Sequence, residues 1–373
     1  MTLRGGRPSR VLIPRHVNAA ALAARLDPRV AVELLTLDFT TSRPVWADVL
    51  VGAASRLLPY ERAIPVISRY GGRVPHFSVD GVPLDGARGD IDVLLATWAF
   101  DRNLAASLIP MLPAVTWLHS SVIGIEYLPL DLLRQRGVTV TSPRGVHASR
   151  IAEYVIGFLL AESKQLFAHQ VATLQRQTVR PRSRNAGDVT VGIVGYGGIG
   201  RAVATMARAV GMPVVALTRG RGPVRCENGV EEVPLLADVL RRADALVLAL
   251  PTTQETRGLI DARALAQLRR GAIVVNVGRG DTLDFDALRK SLESGQVARA
   301  CLDVVTDPVT GRPASSLPSK HPLFRVPNIL FTSYTSSTSP QAEEELLDDF
   351  AARLNGWLRG EGPGPTADLM AGY

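Results

Sequence analysis

The chain alternates short apolar runs rich in Val, Ile and Leu with longer segments whose apolar residues recur at helical spacing. Runs that are apolar throughout, rather than at every second residue, predict strands buried on both faces. In the first part, strands are predicted at 10–14, 30–38, 90–97, 115–119 and 138–141, with helices between them at 18–26 and 104–112. In the second part, strands are predicted at 189–194, 213–217, 245–250, 272–277, 298–304 and 329–332. Helices separate them at 199–210, 233–242, 262–269 and 285–294. Strand–helix–strand repetition of this kind builds parallel sheets with helical crossovers, so the fold class is α/β, doubly wound, in two domains.

A last helix at 340–358 follows the final strand and is expected to return to the first domain. The junctions at 143–149 and 333–340 are candidate hinges. The expected division is therefore 1–144 plus 336–373 against 145–335. Residues 55–89 break the rhythm with several Gly and Pro and a hairpin signal at Val79-Asp80-Gly81-Val82. Such a stretch reads as an insertion, a lid, a dimer arm or a plain surface excursion.

Composition narrows the class. Of 373 residues, 46% are hydrophobic, and the apolar runs are far shorter than the roughly 18–20 residues that span a bilayer. No membrane association is expected, and the N-terminal residues carry no secretory pattern. Cys226 and Cys301 lie far apart without a CxxC, which disfavours disulfide scaffolds and cysteine-based metal sites and fits a reducing cytoplasm. The net charge of +7 comes almost wholly from arginines spread along the chain and interleaved with acids. Without clustering, that charge does not point to a nucleic-acid partner.

The candidate chemistry begins at Gly195-x-Gly197-x-x-Gly200, between a β-branched strand and an amphipathic helix. In that context Gly195 permits a tight turn, Gly197 lets backbone approach a pyrophosphate, and Gly200 lets helix and strand pack closely. With Gly198 and Ile199, these residues would place a pyrophosphate on the helix N-terminus. The next strand ends in Thr218-Arg219-Gly220-Arg221, where an acidic residue would hold a free ribose 2′-OH. A hydroxyl with Arg219 and Arg221 suits a 2′-phosphate instead, favouring NADP(H), with NAD(H) the alternative.

Several ordered segments then carry a resemblance: TWLHSSVIGIEYL, SRIAEYVIGFLLA, the glycine loop, LPTTQETRGLI, VNVGRGDTLDFDALRKSLESG, ARACLDVVTDP and HPLFRVPNILFTSYTSST. From roughly residue 90 to 338 the chain resembles the D-2-hydroxyacid dehydrogenases, the group of D-lactate, glyoxylate/hydroxypyruvate and phosphoglycerate dehydrogenases. The resemblance implies two Rossmann/flavodoxin-like lobes, a substrate domain and a dinucleotide domain, with an active site in the cleft and a homodimer through the cofactor domain. It implies a small anionic substrate, such as a 2-keto acid or phosphonate, reduced to the D-2-hydroxy acid.

The family's catalytic Arg falls on Arg279, which would grip the carboxylate bidentately and polarise the carbonyl. Its Glu falls on Asp307, one methylene shorter. Its His falls on Tyr334, and this is the main departure. Histidine exchanges a proton near neutral pH, whereas tyrosine has an ordinary pKa of about 10 and acts as a neutral donor. Three readings stay open. Tyr334 is the general acid of a reductase; or the proton comes from His119, His147 or water; or catalysis is altered and the chain is a nucleotide-binding regulatory protein. A specialised enzyme for an unusual acid is a further alternative. The loop 120–128 resembles the family's carboxylate loop, so the Ile123 and Gly124 amides would bind the substrate carboxylate. Trp98 and Phe100 stand where the family contacts the substrate side chain, and His119 ends the strand before the loop. No residue set predicts a metal.

Overall fold

The computed structural model describes residues 8–29, 32–42, 74–97, 100, 102–218, 225–306, 313–314, 322–326 and 328–370. The chain forms two units, Met1–Val146 with Ser339–Tyr373, and His147–Thr338.

The first unit contains β1 (Ser9–Pro14), α1 (Ala19–Ala23), β2 (Val32–Ser42), β3 (Val74–Val79), β4 (Val82–Pro83), β5 (Val93–Ala96), α2 (Arg102–Leu108), β6 (Trp117–Ser120), α3 (Leu130–Gln135) and β7 (Thr139–Thr141). The sheet order is β4-β3-β2-β1-β5-β6-β7. Strands β2, β1, β5, β6 and β7 are parallel, and β3 and β4 run antiparallel at one edge. The hairpin signal at 79–82 is the β3–β4 turn, with Asp80 and Gly81 both left-handed (φ 49° and 78°). Residues 74–83 therefore extend the sheet rather than forming a surface excursion, because β3 pairs in register with the overhanging end of β2. Residues 55–73 of that stretch lie outside the described residues.

The second unit begins with α4 (Ala148–Ser163) and α5 (Leu166–Leu174). It continues with β8 (Val191–Val194), α6 (Gly198–Ala209), β9 (Val214–Leu217), β10 (Arg225–Glu227), β11 (Val230–Val233), α7 (Leu236–Arg242), β12 (Ala245–Leu248), α8 (Ala262–Ala266), β13 (Ala272–Asn276), α9 (Phe285–Glu293), β14 (Val297–Leu302), β15 (Val305–Thr306), β16 (Pro313–Ala314) and β17 (Ile329–Phe331). The large sheet is ordered β10-β11-β9-β8-β12-β13-β14-β17, and every pairing but β10–β11 is parallel. Alternate residues of one strand reach opposite cores: Leu246 and Leu248 on one face, Ala245 and Val247 on the other. That is why these strands read as unbroken apolar runs. The chain then returns to the first unit as α10 (Ala342–Leu358), whose Phe350, Ala351 and Leu354 pack with Val11, Ile13, Leu22 and Trp117.

Both sheets are doubly wound and, apart from their antiparallel edge strands β3, β4 and β10, parallel, as the apolar pattern predicted. One correction concerns the helix predicted at 233–242. It starts at Leu236, because Val230–Val233 is a strand turned back from β10 through Asn228 and Gly229 (φ 51° and 72°). Among the described residues no helix is long and apolar enough to cross a membrane, and no group of His, Cys, Asp and Glu gathers to hold a metal.

Candidate active site

In the second unit the strand order reverses at β8, with β9 on one side and β12 on the other. Ligands of doubly wound sheets bind beyond the carboxyl ends of the strands at such a switch point. The glycine loop follows β8 there. Gly195 has φ 108°, and a Cβ on it would lie 2.7 Å from the carbonyl of Ala249. A Cβ on Gly200 would lie 2.1 Å from the Gly195 carbonyl oxygen. These two positions lock α6 against β8 and β12. Gly197 differs: it is exposed, and a Cβ there would meet nothing within 4 Å. Gly197 is the N-cap of α6 and brings no side chain to its free amides, and Gly198 is exposed beside it, with Ile199 half-buried. The helix start is thus bare backbone facing open space, a cradle that fits a pyrophosphate.

Thr218 follows β9, half-buried, and its amide donates to the Val233 carbonyl at 3.1 Å. Arg219 and Arg221 lie outside the described residues.

Arg279 stands just beyond β13, and the loop that carries it is organised by Asn276. This side chain is fully buried at the end of an otherwise apolar strand. Its Oδ1 accepts from the Gly278 amide at 3.1 Å and its Nδ2 donates to the Arg279 carbonyl at 2.9 Å. The Thr282 hydroxyl donates to the same carbonyl at 2.7 Å. A Cβ on Gly280 would lie 2.5 Å from the Thr306 amide nitrogen, so β15 crosses directly over the loop. Asp307, next along from β15, lies outside the described residues. The loop after β12 is fastened to the same place: Thr252 bonds Asp281, Arg257 pairs with Asp281 at 2.7 Å, and the Gly258 amide donates to the Asp281 carbonyl at 2.8 Å.

Tyr334 sits in a turn after β17 in which Ser333 and Tyr334 are both left-handed (φ 52° and 65°). Two such residues in succession are costly without glycine, at roughly 1–2 kcal/mol each. Asp303 holds the turn. It is 2% exposed, and its carboxylate accepts from the Thr332 hydroxyl (2.8 Å), the Thr335 amide (2.9 Å), the Ser336 amide (3.1 Å) and the Ser336 hydroxyl. Its carbonyl accepts from the Tyr334 amide at 2.8 Å, and its amide donates to the Asn276 carbonyl at 3.0 Å. Arg279 and Tyr334 are therefore each one hydrogen bond from the Asn276–Asp303 pair, at the carboxyl ends of adjacent strands β13 and β14. Neither Asn276 nor Asp303 was singled out by sequence reasoning. The available signal was a polar residue at the carboxyl end of a largely apolar strand in each case.

In the first unit, the loop after β6 is tied by the buried Ser120. Its hydroxyl donates to the Val122 carbonyl (2.7 Å), accepts from the Val122 amide (3.1 Å), and meets the Tyr127 hydroxyl at 2.9 Å. Among the described residues the Ile123 and Gly124 amides make no hydrogen bond, and both residues are half-buried.

His119 requires correction as a substrate-facing residue. It is 1% exposed, its Nδ1 bonds the Thr141 hydroxyl at 2.8 Å, and its ring stacks on Phe350 at 5.1 Å. Burial, with Arg353 nearby, pushes its pKa down to about 3. It is a neutral core residue sandwiched between the sheet and α10. Phe100 also packs in the core, among Leu104, Leu108 and their neighbours, rather than facing a ligand. Trp98 lies outside the described residues. His147 is buried at the start of α4.

Residues 156–336 match the model of the D-isomer specific 2-hydroxyacid dehydrogenase, NAD binding domain. The glyoxylate reductase of Thermococcus kodakarensis is 30% identical over 286 residues, 74% of this chain and 83% of that enzyme. The D-3-phosphoglycerate dehydrogenase of Mycobacterium tuberculosis is 31% identical over 312 residues, 82% of this chain. The chain spans 57% of that longer enzyme's length. Among solved structures, a D-isomer specific 2-hydroxyacid dehydrogenase from Xanthobacter autotrophicus, in complex with NADPH and MES, superposes with TM-score 0.70. It is 22% identical, with 98% of this chain and all of that one covered, a likeness of fold.

Proposed function

Because the chain belongs to the D-isomer specific 2-hydroxyacid dehydrogenases, we propose that it is an NAD(P)-dependent oxidoreductase that reduces a 2-keto acid, or a close anionic analogue such as a phosphonate, to the D-2-hydroxy acid. The observation that carries this reading is the shared anchor of Arg279 and Tyr334 on the buried Asn276–Asp303 pair, beside a glycine loop with bare amides.

The glycine loop fits a dinucleotide: two glycines that admit no Cβ fix the helix against the sheet, and a third leaves its N-terminus open. The reduced nicotinamide supplies the hydride when bound. Arg279 orients the substrate carboxylate and stabilises negative charge growing on the carbonyl oxygen, its loop held from behind by Asn276 and Thr282. Tyr334 donates the proton that the new hydroxyl needs, as a neutral phenol. The Ile123 and Gly124 amides are donors available to a carboxylate. Thr218, Arg219 and Arg221 favour NADP(H) through a 2′-phosphate. A dimer through the second unit and a cytoplasmic location accord with this reading.

The test is the initial rate of reduced-nicotinamide oxidation over small, aromatic and phosphonate 2-keto acids, with NADPH and NADH compared. Turnover with NADPH that Tyr334→Phe abolishes supports the reading. Undiminished turnover in Tyr334→Phe removes Tyr334 as the acid. Binding of NADPH without turnover on any acid, restored by Tyr334→His, supports the altered, regulatory alternative.

A further inference from the structure

Next to the Tyr334 turn runs a line of buried and half-buried hydrogen-bonding groups that the proposed reaction does not use. The Tyr154 hydroxyl, on α4, lies 2.7 Å from the Thr332 hydroxyl and 3.2 Å from the Cys301 sulfur. The Thr332 hydroxyl in turn lies 2.8 Å from Asp303 Oδ1. The direction of every bond follows from one fact: an ionised carboxylate only accepts. Thr332 must therefore give its single proton to Asp303. It can then only accept from Tyr154, so Tyr154 donates its own proton to Thr332. The sole proton left for the Tyr154 oxygen is that of the Cys301 thiol. The order is Cys301 S–H to Tyr154 O–H to Thr332 O–H to Asp303. Burial keeps the first two donors of this order intact: it pushes the Cys301 thiol up to about 12 and the Tyr154 phenol upward as well, so both stay protonated.

Asp303 is the residue that grips the two left-handed residues Ser333 and Tyr334 from both sides. A carboxylate with one oxygen fixed by an oriented hydroxyl has one rotamer, and the turn inherits it. We propose that Tyr154, backed by Cys301, is a positioning residue for Tyr334: through Thr332 it fixes the Asp303 carboxylate and thereby the conformation of the turn. This rests on the reading of Tyr334 as the proton donor, but its geometric half stands apart from it.

The experiment separates the two halves. Tyr154→Phe removes one oxygen and keeps the ring. In the full chain, amide hydrogen exchange across 329–338 is compared with the parent, alongside kcat and KM for the keto acid and the Kd for NADPH. The expected result is faster exchange at the Tyr334, Thr335 and Ser336 amides, by about tenfold, and a fall in kcat of about five- to tenfold, with NADPH binding unchanged. Thr332→Val does the same, and the double variant is no worse than Thr332→Val alone, because Tyr154 acts only through Thr332. Thr332→Ser keeps the relay and stays near the parent. Cys301→Ser, which keeps a donor, also stays near it, whereas Cys301→Ala drifts toward Tyr154→Phe. Unchanged exchange in Tyr154→Phe, or losses in the two single variants that multiply in the double, overturns the proposal. Faster exchange with kcat untouched upholds the relay and overturns Tyr334 as the acid.

Discussion

The glycine loop allows two neighbouring substitutions with opposite expected outcomes. A methyl group on Gly200 would sit 2.1 Å from the Gly195 carbonyl oxygen and 3.1 Å from Ile193 Cγ2, where ordinary contact starts at 3.4 Å. The obstacle is backbone and cannot rotate away, so Gly200→Ala must push α6 off β8 by about 1 Å, an overpacking that costs about 1–3 kcal/mol. At about 2–4 °C per kcal/mol for a unit of this size, Tm falls by roughly 2–12 °C. A methyl group on Gly197 meets nothing within 4 Å, and its backbone (φ −89°, ψ −154°) is ordinary extended chain. Gly197→Ala should therefore keep the parent Tm. It should nevertheless weaken NADPH by about 1.5–3 kcal/mol, or roughly 10- to 100-fold in Kd, because the methyl stands over the bare helix start where a pyrophosphate would accept N–H bonds. Thermal unfolding and calorimetric titration with NADPH measure both quantities on the same samples. Parent-like NADPH affinity in Gly197→Ala would refute the loop as the phosphate cradle. A parent-like Tm in Gly200→Ala would refute the close helix–strand contact.

Three further expectations concern the site and its supports. Arg279→Lys keeps the charge but loses the planar fork, so kcat/KM for the keto acid should drop by roughly 10- to 100-fold without loss of NADPH binding; steady-state kinetics decides, and parent-like kcat/KM removes Arg279 from the site. Asp303→Asn removes the charge that four donors share and puts an N–H₂ either against the Ser336 hydroxyl at the Oδ2 position or against the three donors at Oδ1, so thermal unfolding should show a loss of about 1–3 kcal/mol; an unchanged Tm would mean that the turn does not depend on the carboxylate. His119, pushed down from 6.5 to about 3, is neutral when folded and takes up a proton only on unfolding. Its contribution is thus complete above pH 6.5 and is lost as pH falls toward 3, by up to about 1.4 kcal/mol per pH unit. Urea unfolding at pH 7, 6 and 5 should show a shallower decline in His119→Gln than in the parent, and parallel declines would contradict the burial argument.

What the amino-acid pattern revealed, and what it hid, follows from how each group meets its needs. Strands buried on both faces were legible because solvent leaves no polar position in them. The β10–β11 hairpin was hidden because Glu227, Glu231 and Glu232 give it a polar, edge-strand composition, although Asn228-Gly229 is a strong turn signal. Arg279 and Tyr334 were found because they occupy places in ordered motifs. Asn276 and Asp303 were not, because a buried polar side chain satisfied by backbone amides matches no spacing rule; its partners are brought together only by the sheet. His119 shows the converse error. A histidine ending a strand beside a candidate loop looks exposed to a ligand, yet β6 turns its odd-numbered side chains toward α10, and Trp117 and His119 both enter that core.

The return of α10 to the first unit has a consequence for biosynthesis. Val11, Ile13, Val93, Leu95 and Trp117 form one face of the first sheet, and Phe350, Ala351 and Leu354, with Leu22 of α1, cover it. Between the two, the ribosome must make all of His147–Thr338. At about 5–20 residues per second that interval lasts roughly 10–40 s. Throughout it an indole and a row of branched side chains stay open to water on the nascent chain, while the second unit, continuous in sequence, is free to fold first. The N-terminal unit is thus the last to finish, and a ribosome-stalled chain ending near Thr338 should be bound by chaperones where one ending after Leu358 is released.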